Sequence, residues 1–354
     1  MKLFSEGFQF IINTSLFKNT TIGVETDLSL TNRKTPIVLY TPNCKEKGLI
    51  ITLTGFSMSG YKDPRIAIVN NAFKKMGYRV ITPKINPIDS LIIHPQCIDE
   101  VKEVIEGILN DPILNPNKFR PAIFAPSFTA GIAALAIAEM PSNTVSSLCL
   151  LGSFSDFEST IQFALTNEEN QDNYGMHILM KNFLKYEIGE NAEMEKLVYT
   201  ALEDNGLRRL THLLPEIKAN SNPQTVEFYE KLVSNTAFRK EVIMRAWTKI
   251  PDFNNWKNRL DLSIHAHKIT CPVTIIHGNG DQVIPTSQSV LLHSLIKESN
   301  KKVHLEISNL LDHGDLKLGF KIFAEISNLA KAFSFFTIHC RKLQDFSTKN
   351  ESMA

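Results

Sequence analysis

The 354-residue sequence is short of the features that mark several protein classes. Its five cysteines, Cys44, Cys97, Cys149, Cys271 and Cys340, are scattered, odd in number and without a Cys-x-x-Cys pair. That argues against a disulfide framework and for buried thiols in a reducing compartment. Charge of one sign is also missing: 38 Lys and Arg against 37 Asp and Glu leave a net +1 and no basic stripe, so no nucleic-acid partner is expected. No apolar run reaches the ~18 residues of a membrane span. The opening stretch, MKLFSEGFQFIINTSLF, is broken by Glu6 and Gln9 and lacks a small-residue cleavage site, so it reads as a strand and not a signal peptide. A soluble cytoplasmic protein is the expectation. There is no Gly-x-Gly-x-x-Gly after a strand and no Gly-Lys-Ser/Thr loop, hence no nucleotide site. His265-x-His267 has no partners at metal-ligand spacing, so neither a metal nor any other cofactor is expected. Internal repeats and low-complexity tracts are absent as well.

What is present is a large apolar complement, 43% of residues with 22 Phe, enough for a sizeable core. Phe8 to Asn13, Thr21 to Ser29 and Pro36 to Tyr40 suggest edge strands. Leu49 to Leu53 is an apolar run fit for a strand buried on both faces, and it ends in a glycine-punctuated loop, Thr54-Gly55-Phe56-Ser57-Met58-Ser59-Gly60. A helix from Ile66 to Met76 closed by Gly77, a strand from Arg79 to Pro83, and a helix opening at Pro95 with Ile98, Val101, Ile105 and Ile108 on one face follow. Val145 to Leu151 and Pro272 to Ile276 read as further strands, a helix as Thr286 to Lys297, the last strand as Lys302 to Ile307, and the last helix as Leu318 to Phe333. Strands alternating with helices predict a mostly parallel, doubly wound α/β sheet.

Between these halves the pattern is helical: Met176 to Tyr186, Glu193 to Leu202, Thr225 to Leu232 and Phe238 to Trp247, with breaks at Asp204-Asn205-Gly206 and Asn220 to Pro223. The expected organisation is a sheet domain over residues 1–157 and 266–344, an inserted helical cap over 158–265, and a flexible polar tail over 345–354.

The chemistry centres on PAIFAPSFTAGIAALAIAEMP, Pro121 to Pro141. A short apolar strand, a turn carrying Ser127, and an alanine-rich helix from Ala130 to Met140 form the setting of a nucleophile elbow. Small residues two before and two after the serine let strand and helix approach; here they are Ala125 and the bulkier Thr129. A serine hydroxyl needs a base, and the base an orienting carboxylate. The order along the chain supplies Ser127 after one strand, Asp281 after a later strand, and His313 after the last. Competing readings are Ser127 as a helix cap, Asp281 as a cap for the helix near Pro285, Asp156 as the acid, and Ser57 as the nucleophile. His94, His277 and His304 read as structural or surface groups.

With CPVTIIHGNGDQVIP, in which a strand, His-Gly, a turn, Asp and a nearby Pro succeed one another, the sequence resembles the α/β-hydrolase fold family over its sheet-forming two thirds. The resemblance implies Ser127 as nucleophile, His313 as general base and acid, Asp281 as its orienting carboxylate, and the backbone N–H groups of Phe56 and Phe128 as the oxyanion hole. Thr54-Gly55 replaces the usual His-Gly of that loop. It further implies a cofactor-free hydrolase of a small-molecule ester, thioester or other acyl substrate, with an apolar acyl group suggested by Phe163, Met176, Met180, Phe183 and Leu184. An acyltransferase with the same triad, or a non-catalytic binding member of the fold, are the alternatives.

Overall fold

The computed structural model describes residues 2–16, 22–167, 173–208, 210–311 and 320–340. Eight strands form one sheet: β1 (Val24–Ser29), β2 (Lys34–Tyr40), β3 (Leu49–Thr52), β4 (Arg79–Pro83), β5 (Ala122–Pro126), β6 (Ser147–Leu151), β7 (Val273–Gly278) and β8 (Val303–Ser308). Their order is β1-β2-β4-β3-β5-β6-β7-β8. β2 runs antiparallel to β1 and β4, and every other pair is parallel. The central strands are apolar at successive positions because both faces are covered. Leu49 and Ile51 enter one core cluster and Ile50 the other; Ile123 and Ala125 likewise oppose Ala122 and Phe124.

The helices of the sheet domain are α1 (Lys2–Leu16), α2 (Pro64–Lys75), α3 (Asn86–Asp89), α4 (Gln96–Asn110) and α5 (Phe128–Glu139). Between β6 and β7 the described residues hold helices joined by loops and no strand: α6 (Phe157–Thr166), α7 (Tyr174–Phe183), α8 (Lys185–Ile188), α9 (Ala192–Gly206), α10 (Leu214–Ala219), α11 (Pro223–Ser234), α12 (Thr236–Lys249), α13 (Phe253–Leu260) and α14 (Leu262–His265). The chain returns to the sheet and adds α15 (Thr286–Ser299) and α16 (Phe320–His339).

Two expectations need correction. Phe8 to Asn13 is not a strand but the middle of α1. Its buried positions are Gly7 and Phe10, with Ile11 and Thr14 half-buried, a three- and four-residue spacing that only a helix presents on one side. Gly7 makes this packing possible: a β-carbon there would lie 1.8 Å from the Ala330 carbonyl oxygen of α16. Its N–H donates to Ser334 Oγ at 2.9 Å, and Phe10 packs against Phe73 and Phe333 with ring centres 4.6 and 4.2 Å away. Asp204 to Gly206 is likewise no break, since α9 runs through it. The Asp204 carboxylate accepts the N–H groups of Leu213 and Leu214 at 3.0 and 2.8 Å, drawing the following segment back onto the helix. The tail over 345–354 lies outside the described residues.

β3 leads to β4 on one side while β5 lies on the other. The order therefore reverses between β3 and β5, and the crevice beyond their carboxyl ends is where ligands bind in such sheets. The Thr54–Gly60 loop and Ser127 flank that crevice.

Candidate active site

Ser127 links β5 directly to α5, with no residue to spare for a turn. It adopts φ 58°, ψ −143°, a region non-glycine residues rarely enter. A capping serine has extended backbone and offers its oxygen to the first turn of the helix. Ser127 does neither: its side chain makes no capping bond, and the residue is exposed at the sheet edge. The turn is fixed from the neighbouring strand instead, the Ser127 N–H donating to the Leu151 carbonyl at 2.6 Å.

The helix that follows carries its tight contact one turn in. A β-carbon on Gly131 would fall 2.1 Å from the ring of Phe154, which stacks on Phe128 with ring centres 4.8 Å apart. Thr129 is fully buried, so the site accommodates its bulk, and its Oγ1 has no hydrogen-bond partner among the described residues.

The loop after β3 passes beside the serine. A β-carbon on Gly55 would lie 3.6 Å from Ser127 Cβ. The rings of Phe56 and Phe128, the two residues whose N–H groups are the candidate oxyanion donors, pack 5.1 Å apart, which brings the loop and the start of α5 together. Ser57 is buried, and its Oγ accepts the Ser59 N–H at 3.2 Å. That hydroxyl is turned into the loop.

Asp281 follows β7. Its Oδ1 accepts the N–H groups of Val283 and Ile284 at 2.9 and 3.0 Å. Oδ2 reaches across the end of β6, where a β-carbon on Gly152 would lie 3.4 Å away. Burial raises the Asp281 pKa, but the His277 imidazole and the Ile284 and Val283 N–H groups outweigh it and hold the carboxyl below its ordinary value. His277 is fully buried: Nε2 donates to the Ile284 carbonyl at 2.8 Å, with Asp281 Oδ2 3.5 Å away, and Nδ1 lies 2.6 Å from Ser289 Oγ. It is the structural histidine the sequence suggested. Asp156, the alternative acid, caps α6 by accepting the Ser159 N–H at 2.7 Å. Gln288 braces that corner, its Oε1 accepting from the Ser155 and Asp156 N–H groups at 3.0 and 2.8 Å. Sequence reasoning missed Gln288 because it is an ordinary helix residue until the fold brings β6 against α15.

His313 lies outside the described residues, with 312–319. The structure therefore brings together Ser127, Phe56, Phe128 and, across Gly152, Asp281. Two open hollows, of about 590 Å³ against α7 and α9 and about 460 Å³ beside Trp247, are lined by none of these residues. Among the described residues no group of three His, Cys, Asp or Glu is placed to hold a metal, and no helix is long and apolar enough to cross a membrane.

No protein-family model and no curated protein matches the chain. Solved structures do. The acylaminoacyl peptidase of Pyrococcus horikoshii superposes with a TM-score of 0.50 at 12% identity, over 95% of this chain and 44% of that one. A puromycin-hydrolyzing peptidase of Mycobacterium tuberculosis gives 0.52 at 13% identity, over 91% and 39%. The chain thus spans less than half the length of either, and at such identity the likeness speaks for architecture alone. With the mostly parallel eight-stranded order and its reversal beside Ser127, these likenesses make the architecture that of an α/β-hydrolase fold.

Proposed function

We propose that the protein is a serine hydrolase that cleaves a carboxylic ester or thioester through an acyl-enzyme. The observation that carries this reading is the Ser127 backbone, held in a costly conformation while its hydroxyl does no capping. In this reading His313 takes the Ser127 proton as the hydroxyl attacks the acyl carbon, then delivers it to the leaving group. Asp281, already ionised and held by two N–H groups, orients the imidazole and stabilises its cation. The N–H groups of Phe56 and Phe128 receive the oxyanion, and the amino end of α5 adds a favourable dipole. Water then releases the acid by the same route.

Residues 158–265 would cap the site. The two ends of the insertion nearest the crevice support this, since Gly175 meets Val283 of the acid loop and Gly206 meets Met58 of the loop after β3. Met176, Met180 and Phe183 of α7 are buried in the core, so the acyl preference is read from the ester panel below. The two similar structures described above are peptidases, so an amide belongs beside esters in any substrate panel. Unpaired cysteines, four of the five buried, fit a cytoplasmic setting.

The test is labelling by a fluorophosphonate probe, with hydrolysis of p-nitrophenyl esters of two to twelve carbons alongside. Labelling and hydrolysis should both vanish in Ser127→Ala. No labelling of well-folded wild type would overturn the reading in favour of a binding protein, and labelling lost instead in Ser57→Ala would move the nucleophile.

A further inference from the structure

The loop that carries the Phe56 N–H is fastened from behind by a carboxylate for which the scheme above has no use. Asp89 ends α3, and its Oδ2 accepts the Tyr61 N–H at 3.1 Å. Gly60 backs directly onto the same oxygen: a β-carbon there would fall 2.5 Å from Oδ2. With φ 54° as well, that position suits glycine on grounds of both space and backbone. Oδ1 is buried and has no hydrogen-bond partner among the described residues. Nor does any salt bridge among them reach Asp89. The charged groups acting on it are Lys84, which favours its anion, and Glu100, which opposes it and is itself paired with Arg33 at 3.2 Å. A buried carboxylate without a cation costs stability. Some contribution other than stability is the natural use for it.

We infer that Asp89 is a positioning residue for the oxyanion loop: by holding the Tyr61 N–H against Gly60 it fixes the stretch that presents the Phe56 N–H to Ser127. The inference rests on the hydrolase reading. The link is short. The Gly60 N–H donates to the Ser57 carbonyl at 2.9 Å, and the Ser59 N–H to Ser57 Oγ at 3.2 Å, so Gly60 and Tyr61 set the residue next to Phe56. From the other side Asp63 accepts the Arg65 N–H at 2.8 Å. Asp63 has a cation in Arg65; Asp89 has none. Burial, against the Tyr61 N–H and Lys84, pushes the Asp89 carboxyl up to about 6. Its charge therefore changes within the range where such enzymes work. Protonation turns a charge-assisted bond into a neutral one roughly half as strong.

Asp89→Asn keeps the size and an acceptor oxygen but removes the charge. Wild type and variant are compared from pH 5 to 9 on the best p-nitrophenyl ester, and the Tyr61 amide resonance is followed in both by 1H–15N NMR. The expected result is a kcat about 10-fold lower in the variant at pH 8 with KM unchanged, less than the ~100-fold loss of a whole oxyanion donor. The acid limb of kcat/KM should be steeper in wild type, where His313 and Asp89 both titrate, than in the variant. The Tyr61 resonance should move with a midpoint near pH 6 in wild type alone. An unchanged kcat with superimposable acid limbs, or a Tyr61 resonance indifferent to pH between 5 and 7, would overturn the inference. A wild type that neither labels nor hydrolyses overturns the hydrolase reading, and the catalytic role of Asp89 with it. The amide titration then decides separately whether Asp89 holds the loop.

Discussion

A side chain at φ 58° costs on the order of 1–3 kcal/mol, and Ser127 accepts this cost while every backbone partner around it is fixed. Asp281 shows the opposite economy, a carboxylate held in its charged form by the fold. Because its pKa is depressed in the folded protein, the stabilisation it gives is complete above the ordinary carboxylate pKa of about 3.9 and disappears as pH falls through the lower folded value. Asp281→Asn should therefore lower stability in urea by roughly 1 kcal/mol at pH 7, and by progressively less as pH falls through the depressed folded pKa. Both residues were legible in the sequence because strand, turn and residue type coincide locally. Asp89 and Gln288 were not. Each owes its place to a contact across the fold, Asp89 with Tyr61 and Gln288 with Ser155, which no local pattern encodes.

Elements succeed or fail by the space between them. α1 and α5 each depend on one glycine, but the contacts differ in kind. Gly7 meets a backbone oxygen of α16, whereas Gly131 meets a ring held between Phe128 and Phe157. Gly7→Ala should cost about 1–3 kcal/mol in urea denaturation with kcat unchanged below the transition, since α1 packs on the side of the sheet away from α5. Gly131→Ala should lower both stability and kcat, because Phe128 shares the displaced ring. The strands were readable as apolar runs with both faces buried. α1 was misread because Phe8, Phe10 and Ile12 alternate like a strand, and only the partner helix reveals that Gly7 and Phe10 are the inner side. Short helices such as α10 and α14 carry too few turns to leave a periodic signal.

At the scale of the molecule, the helical insertion rests on the two loops that flank Ser127. A β-carbon on Gly206 would lie 2.9 Å from Met58 Cγ, and one on Gly175 would lie 3.1 Å from Val283. Gly206→Ala must displace the Met58 side chain, which belongs to the loop beside Ser127. If the insertion caps the site, kcat/KM for a twelve-carbon ester should fall about 3- to 10-fold more than for a two-carbon ester, the effect of crowding an acyl channel by one methyl group. Equal losses on both esters would instead mean that the loop itself had moved. The order of elements was visible in the sequence, as strand patterns that stop after Leu151 and resume near Pro272. The seating of the inserted helices on the loops flanking Ser127 was not, because it depends on glycines that look unremarkable in a helix.

The hydrogen bond between Gly7 and Ser334 joins residues 327 positions apart. As the chain leaves the ribosome, α1 is made long before α16, and until α16 appears its one seat among the described residues is α2, through Phe10 against Phe73. Until then the sheet face bearing Ile50, Val80, Phe124 and Ile276 lacks the cover that α16 provides. That apolar face is the surface a nascent-chain chaperone would meet, and α1 completes its packing only when α16 arrives.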